Sequence, residues 1–383
     1  MAIIAAVLVL VGTGIYFGWY VPVYRPLHET VAEVNGVKFN MAYLLDFSQY
    51  EYGQYASMFL DYGLSDIQND ELMRQEAEKL GFTVSEEDID QNLEGSSNKN
   101  NHAMRDFVRA QLLAQKLRDS YFKPQLPETM DQRQVMAMFL ESRSQADQIQ
   151  QSIEAGTDFG LLAGELSLDT TTKDDNGDLG LHPKDVIPQV SGSDVLADAI
   201  FTQEVGSLAQ LEDQAKQKQL GYWLVKVTER NSDTNESHAF GMLLGSEEEA
   251  ISINTKLNSG EDFDTLAEQY SQSWTEDNKD DLGWISIDST AATTQYIFDT
   301  TIPLDTVSQP IKDTSSTTKG GYWLVKVTAA ENSAISDDDQ NTIIGQLFTD
   351  WLDQIIANPD NNVVSYLDQN RKDWATDYLS NNA

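Results

Sequence analysis

An eight-residue stretch occurs twice in this chain of 383 residues. It reads Gly-Tyr-Trp-Leu-Val-Lys-Val-Thr at residues 221–228 and again, 100 positions later, at residues 321–328. Such a repeat indicates two copies of one domain, because chance rarely produces eight identical residues. Along the stretch Tyr222, Leu224 and Lys226 alternate with the wholly apolar set of Trp223, Val225 and Val227. The alternation predicts a β-strand that ends each copy, with Trp223 and Trp323 on its apolar face.

Other short motifs recur in the same order in both copies. Asp158-Phe159-Gly-Leu-Leu-Ala163 in the first copy corresponds to Asp262-Phe263-Asp-Thr-Leu-Ala267 in the second. Likewise, Gly177-Asp-Leu-Gly180 corresponds to Asp281-Leu-Gly-Trp284. Because several landmarks keep their order, the repeat is a whole domain rather than one recurring strand.

Outside the repeat the sequence is typical of helices. Asn40 and Ser85 stand where a helix N-cap is expected. A broad apolar stripe runs from Ile343 to Ile356, and its natural partner is the helical region near the other chain end. The predicted segments are an anchor at 1–22, a helical domain at 29–125, repeat copies at 131–231 and 237–330, and C-terminal helices at 338–383 that pack on the N-terminal domain.

The first 20 residues carry no charged side chain and are almost wholly apolar. Twenty helical residues span about 30 Å, the thickness of a bilayer core. A cleavable signal peptide is the alternative, but the run is long, has no basic start and lacks a small-residue cleavage site before Pro22. We therefore expect an uncleaved transmembrane helix, and a single-pass protein of the cell membrane with its bulk extracytoplasmic.

Composition excludes several classes of site. The 62 acidic and 25 basic residues give a formal charge of −37, which opposes nucleic-acid binding because phosphates are repelled. There is no cysteine, and the four histidines are scattered without ligand spacing. We therefore expect no metal, no cofactor and no nucleic-acid partner. The acidity is typical of a solvated surface, and it would also favour basic unfolded segments as partners.

Each copy resembles a parvulin, the PpiC-type rotamase domain, through the Phe-x-x-Leu-Ala motif, the Asp-Leu-Gly motif and the Gly-Tyr…Lys-Val ending. The Val34-Asn35-Gly36 turn and the segment at residues 76–85 resemble the chaperone domain of SurA/PrsA-type foldases. The resemblance implies an α+β fold with two parvulin-like domains, each a four-stranded antiparallel sheet wrapped by helices. It also implies an all-α SurA-like body beside the transmembrane helix.

The same resemblance implies a function and its partners. Parvulins are peptidyl-prolyl cis-trans isomerases, so the expected activity is rotation of X-Pro bonds in exported, unfolded polypeptides. That rotation faces a barrier of about 18–20 kcal/mol and needs an apolar pocket with directed hydrogen bonds, not a metal or cofactor. The expected clients are unfolded or proline-containing chains.

The family site uses two histidines, an acid and apolar groove residues. By position the first-strand histidine is replaced by Ala137 and Gly241, and the last-strand histidine by Trp223 and Trp323. The acid remains as Asp169 in the first copy. The resemblance therefore implies Asp169 as the catalytic residue and a set of substrate-binding residues: Ala137, Val186, Leu196, Trp223, Gly241, Ser273 and Trp323.

Two interpretations of these replacements stay open. An indole donates one hydrogen bond but neither accepts one nor titrates. The tryptophans either pack the last strand or form an aromatic floor for proline, and Asp169 either keeps its pocket role or caps a loop. The chain is accordingly an isomerase acting through its first copy, or a catalytically degenerate chaperone that holds unfolded chains. A scaffold in an envelope complex is a third interpretation.

Overall fold

The computed structural model describes residues 16–96 and 99–382. These residues form two compact units. The first unit joins the described residues up to Pro127 with those from Gln340 onward, and the second unit is Glu128–Asp339. We call them the helical unit and the repeat unit.

The α-helices and strands of the described residues follow one another along both units. The helices are α1 Arg25–His28, α2 Met41–Tyr52, α3 Leu60–Lys79, α4 Glu86–Asn92, α5 His102–Leu117, α6 Arg143–Glu154, α7 Phe159–Leu166, α8 Thr170–Asp174, α9 Ile187–Ser191, α10 Leu196–Thr202, α11 Glu247–Asn258, α12 Phe263–Tyr270, α13 Thr294–Ile297, α14 Asp337–Ile356 and α15 Gln369–Asn382. The strands are β1 Thr30–Val34, β2 Val37–Asn40, β3 Thr129–Leu140, β4 Asp178–Pro183, β5 Leu208–Asn231, β6 Glu236–Leu244, β7 Asp281–Ser286, β8 Ile311–Ala334 and β9 Val363–Ser365.

Local signals place the first helices of the helical unit. Asn40 accepts a hydrogen bond from the Tyr43 amide and caps α2, and Ser85 forms a capping box with Asp88 at the start of α4. Both predicted N-caps are therefore confirmed. Each cap satisfies backbone N–H groups that the first turn of a helix leaves without partners.

The two chain ends share one core in the helical unit. Ile344 and Phe348 of α14 pack with Met73, Leu113 and Phe122 from α3, α5 and the short π-helix after α5. In addition, β9 pairs with β1 to extend the hairpin of β1 and β2 to three strands. The apolar stripe near the C-terminus is thereby removed from water, which is the main source of its stability.

The predicted transmembrane anchor at residues 1–22 is corrected by the structure. Residues 1–15 lie outside the described residues, and the remainder of that segment belongs to a nine-residue π-helix, Tyr16–Tyr24, that contains Pro22. A spanning helix needs about 20 apolar residues. No helix within residues 16–96 and 99–382 is long and apolar enough to cross a membrane. The prediction of a single-pass membrane protein is therefore wrong. Nothing in the described residues places the N-terminal segment in a membrane, so the membrane is not shown as a partner.

The repeat unit is built on one six-stranded antiparallel sheet. Its strand order is β4-β3-β8-β5-β6-β7, and the long strands β5 and β8, of 24 residues each, lie side by side at its centre. Helices cover both faces of the sheet. Ile187, Leu196 and Ile200 of α9 and α10 lie on one face of β3, and Ala146 and Phe159 of α6 and α7 lie on the other.

The repeated stretches are exchanged between the two copies. Residues 321–328, in the second half of β8, pair with β3 of the first copy. Residues 221–228, in the second half of β5, pair with β6 of the second copy. Each stretch thus completes the sheet of the other copy, whereas the sequence predicts that it ends its own copy.

We name the two halves of the repeat unit by the helices and strands that they contain. The first lobe comprises β3, β4, α6–α10, residues 208–213 and the exchanged residues 321–328. The second lobe comprises β6, β7, α11–α13, residues 311–313 and the exchanged residues 221–228. The strand order is symmetric about the central β5–β8 pair, so the two lobes are related by a two-fold pseudosymmetry.

The connecting residues within each long strand explain the exchange. Residues 214–220 contain no glycine, proline, asparagine or aspartate, the residue types that favour a tight turn. Residues 314–320 read Thr-Ser-Ser-Thr-Thr-Lys-Gly, in which three β-branched threonines favour extended backbone ahead of a single glycine, Gly320. Neither connection reverses the chain, and each strand continues into the neighbouring lobe. The eight residues that follow are identical in the two strands, so they have the same pairing preferences in either lobe.

The first glycine of each exchanged stretch offers a matched test of this packing. A Cβ at Gly321 would press against the carbonyl oxygen of Leu140 and come within 2.6 Å of Phe139 Cζ, whereas at Gly221 it would meet the tip of Leu243. We expect Gly321→Ala to destabilise the repeat unit by about 2–3 kcal/mol and Gly221→Ala by less than about 1 kcal/mol, because a backbone oxygen cannot move aside. Urea unfolding measures both. Equal losses would contradict the described packing around the exchanged strands.

Candidate substrate-binding site

Each tryptophan of the repeated stretch is hydrogen-bonded to an aspartate across the central strand pair. Trp323 Nε1 donates to Asp213 Oδ2 at 3.1 Å, and Trp223 Nε1 donates to Asp313 Oδ2 at 3.0 Å. The two aspartates are 100 positions apart, like the tryptophans. Each bond joins the second half of one long central strand to the first half of the other. The two pairs therefore hold β5 and β8 together at both ends of their contact.

The first lobe fills its predicted groove with its own side chains. Ala137, Leu196 and Trp323 lie in one core cluster and have no exposed surface, and Val186 is 1% exposed. The Trp323 ring lies 5.0 Å from that of Phe139, centroid to centroid. In this lobe the alanine at the first histidine position and the indole at the second form a packed core rather than an open groove.

Asp169, the predicted catalytic acid, has both carboxylate oxygens engaged. Oδ1 accepts a hydrogen bond from the Thr172 amide at the start of α8, and Oδ2 lies 2.8 Å from Lys216 Nζ. Lys216 also donates to the Ser191 carbonyl at 2.8 Å and lies 5.2 Å from the centre of the Trp323 ring. The carboxylate therefore serves as a helix cap and as the counter-charge of a nearly buried lysine.

The aspartate partners of the tryptophans are ionised well below neutral pH. Burial acts to raise the pKa of Asp313, but hydrogen bonds from Ser315, Ser316 and Trp223 outweigh it and hold that pKa well below its usual range. The pKa of Asp213 is lowered in the same way against its own burial, by bonds from Ser193 and Trp323 and from two backbone amides. Both carboxylates therefore act as hydrogen-bond acceptors and not as proton donors at neutral pH.

These depressed pKa values predict acid sensitivity. An unfolded aspartate titrates near about 3.9, so the stability that Asp313 contributes is present above that pH and is lost as pH falls toward its folded pKa. We expect Asp313→Asn to flatten the loss of stability between about pH 5 and about pH 2. Urea unfolding across this range measures the slope, with Asp288→Asn as an exposed control in the same copy. An unchanged slope in Asp313→Asn would contradict the assignment.

The second lobe is less closed. Trp223 is partly exposed, because the short α13 covers it with fewer side chains than α9 and α10 supply in the first lobe. A Cβ at Gly241 would lie 3.2 Å from the Trp223 ring and 2.8 Å from Leu282 Cδ1. The glycine at the first histidine position thus makes room for the indole at the second.

The second lobe has an acid that its sequence motif lacks. Ser273 stands at the position of Asp169, and its hydroxyl donates to Asp280 Oδ1 at 2.9 Å. Asp280 is 1% exposed, and the other oxygen of its carboxyl is buried with no hydrogen-bond partner in the described residues. Burial raises its pKa against the hydrogen bonds from Ser271 and Ser273. Asp280 therefore brings a carboxyl to this position from the turn before β7.

The structure groups the predicted residues differently from the sequence. Ala137 lies with Trp323 and not with Trp223, which lies beside Gly241. Sequence reasoning missed a set of polar residues around these sites: Ser191, Ser193, Asp213, Lys216, Asp280 and Asp313. A signal for two of them was present, since Asp213 and Asp313 recur at the same 100-residue offset as the tryptophans.

Both copies match a known family. Residues 128–231 and residues 245–329 each match a model described as the PPIC-type PPIase domain. The foldase protein PrsA of Caldanaerobacter subterraneus subsp. tengcongensis is 27% identical over 169 residues, which cover 40% of this chain and 52% of the relative. The chaperone SurA of Burkholderia pseudomallei is 28% identical over 237 residues, covering 54% and 49%. The chain spans about half the length of these curated relatives.

Solved structures give a weaker likeness. The peptidylprolyl isomerase PrsA from Bacillus cereus overlaps 92% of this chain and 99% of its own, with 12% identity and a TM-score of 0.31. The corresponding protein from Bacillus anthracis overlaps 83% and 96%, with 11% identity and a TM-score of 0.33. Superpositions at such TM-scores bear on neither the site nor the function.

Proposed function

The chain carries two PPIC-type PPIase domains, and we propose that it is a parvulin-type foldase that acts by holding unfolded polypeptide chains. The observation that carries this proposal is a set of exposed aromatic and methionine side chains in one segment of the helical unit, residues 50–62, which we call the exposed patch. Tyr50, Tyr55, Met58 and Tyr62 are 42%, 53%, 75% and 64% exposed. Such a patch is typical of a surface that binds apolar segments of a partner.

The packing of the first lobe supports holding over catalysis. A rotamase must enclose the proline ring and direct hydrogen bonds at the twisted amide. The two histidine positions of the first lobe are filled by Ala137 and Trp323, which are fully buried in one core cluster, and Asp169 is engaged with Lys216 and Thr172. Clients proposed for this chain are therefore unfolded polypeptides that bind through apolar side chains, with or without proline.

Peptidyl-prolyl isomerisation by the second lobe is the second candidate function. It is favoured by the partly exposed Trp223 and by the buried carboxyl of Asp280 beside Ser273. In this version Trp223 would form the floor under proline, and Asp280 would supply the acid. The first-lobe set of Asp169, Ala137, Val186 and Leu196 stays a proposal of the same kind, which the same assay tests.

Two assays on the full chain separate the candidates. We expect it to suppress aggregation of an unfolded client without accelerating cis–trans exchange of a short X-Pro peptide measured by NMR. Acceleration that disappears in Asp280→Asn or in Asp169→Ala would overturn the holding proposal and identify the lobe at work. Absence of both effects would exclude both functions.

The exposed patch can be tested directly. Replacing Tyr55, Met58 and Tyr62 together by serine should reduce suppression of aggregation several-fold, because the apolar contact area is lost. The matched control replaces Leu161 and Val205 by serine, two apolar residues of the repeat unit that are 64% and 54% exposed. Equal losses in both variants would show that general surface apolarity, and not the patch, holds the client.

A further inference from the structure

The helical unit contains a cavity of about 530 Å³. Helices α2, α3 and α5 enclose it, and β2 lies at its rim. One wall is aromatic and is formed by Phe39, Tyr43 and Phe47, two of which are at least nine-tenths buried. The volume lies within the range of about 300–1,000 Å³ that is usual for ligand sites.

The rest of the lining is largely charged, and its arginines already have partners. Arg74 lies 2.6 Å from Glu71, and it also contacts Glu78. Arg109 contacts Asp106 and lies 2.7 Å from Glu86. Arg74 and Arg109 are therefore matched by carboxylates of the cavity lining, and Lys38, which also lines the cavity, lies 3.8 Å from Glu33. The carboxyl of Asp70 has no such partner.

The carboxyl of Asp70 makes no hydrogen bond or ion pair within the described part of the chain, although it lines the cavity. Burial first, and then the negative charges of Asp66, Glu51 and Asp106, raises the pKa of Asp70 to about 7. The stability linked to this group is present below the unfolded pKa of about 3.9 and is lost as pH rises through the folded pKa. An ionised Asp70 therefore weakens the fold as long as the cavity holds no cation.

We propose that this cavity binds a basic side chain, an ammonium or a guanidinium group, carried by an unfolded polypeptide segment. Asp70 supplies the counter-charge, and the rings of Phe39, Tyr43 and Phe47 receive the aliphatic stem and the face of the cation. The net charge of −37 draws basic segments toward the chain. The choice of a polypeptide over a free amine rests on the proposed holding function.

The test uses the full chain and two capped peptides of glycine, serine and alanine. One peptide carries a single arginine and the other carries citrulline, which has the same shape and no charge. We expect the arginine peptide to bind at least about tenfold more tightly, because only its guanidinium can form a charge-assisted contact with Asp70. Asp70→Asn should abolish that difference. Glu76→Gln removes the same charge from the same helix, at a carboxylate that contacts Lys79 outside the cavity, and should leave it unchanged.

A stability measurement separates a binding role from a structural one. Asp70→Asn removes a carboxyl that weakens the fold when ionised, so its Tm at about pH 8 should exceed that of the unchanged chain. Glu76→Gln should not raise it. A variant that gains stability and loses the arginine peptide identifies a ligand site. A variant that loses stability would show Asp70 to be a structural group and would overturn the proposal.

The remaining outcomes are distinct from failure of the proposed function. Equal binding of the arginine and citrulline peptides would overturn the cavity proposal even where aggregation of a client is still suppressed. Binding of free n-butylguanidine as tightly as the arginine peptide would overturn the polypeptide as the source of the cation. The chain could also bind the arginine peptide through Asp70 and yet fail to suppress aggregation. That result would contradict the holding function and would support the cation site.

Discussion

Replacing Trp323 by alanine is expected to destabilise the repeat unit by about 3–5 kcal/mol, because a completely buried indole leaves a cavity that a packed core fills only in part. The loss also removes the donor to Asp213, a buried carboxylate. Urea unfolding followed by circular dichroism measures the change. Few single substitutions reach this size, and those that do act on a core or on a buried polar network.

Trp223→Ala is the matched control, since the two tryptophans stand in identical stretches of eight residues. Trp223 is partly exposed and the lobe around it is more open, so we expect a smaller loss, of about 1–2 kcal/mol. Equal losses would mean that the two indoles are equally buried in solution and would contradict the difference between the lobes.

The part of the repeat unit that Trp323→Ala destabilises tests whether the last strands are exchanged between the copies. Trp323 belongs to the second copy by sequence, but its core neighbours Phe139, Leu196 and Ile200 belong to the first copy. Hydrogen exchange in Trp323→Ala should therefore increase in β3 and in α10. An increase confined to β6 and to the helices of the second copy would show that each copy keeps its own last strand.

Much of the architecture could be predicted from the sequence, because it depends on local patterns. The repeat and its ordered motifs indicated two parvulin-like domains in an α+β fold, and the family matches confirm them. The caps Asn40 and Ser85 were recognisable because a cap needs one side chain at one position. The hydropathy of residues 1–20 indicated a spanning helix, but no helix within the described residues is long and apolar enough to cross a membrane.

The strand exchange could not be predicted, for a physical reason. Identical stretches have identical pairing preferences, so no pattern distinguishes the partner within a copy from the partner in the other copy. The decision lies in the connecting residues 214–220 and 314–320, where extended backbone competes with a turn. Asp280 could not be predicted either. It lies outside the motif that contains Ser273, the counterpart of Asp169, and only the hydrogen bond from Ser273 shows that its carboxyl lies beside that position.

The largest functional prediction restores the family histidines. Ala137→His alone should destabilise the repeat unit by about 3 kcal/mol or more, because an imidazole must enter a site with no exposed surface beside an indole. Adding Trp323→His frees the space of the indole, so the double variant should recover about 1–3 kcal/mol relative to the sum of the single changes. Adding Trp223→His instead should recover nothing, because Trp223 packs in the other lobe.

This cycle also decides what the tryptophans do. An Ala137→His/Trp323→His variant that accelerates X-Pro exchange, where the unchanged chain does not, would show that Trp323 closes a site which the parvulin frame still provides. A stable double variant without activity would place the loss elsewhere, in the engagement of Asp169 by Lys216, since that ion pair is unchanged in it. Rescue of Ala137→His by Trp223→His would overturn the exchanged strands, because only an unexchanged first lobe brings those two positions together.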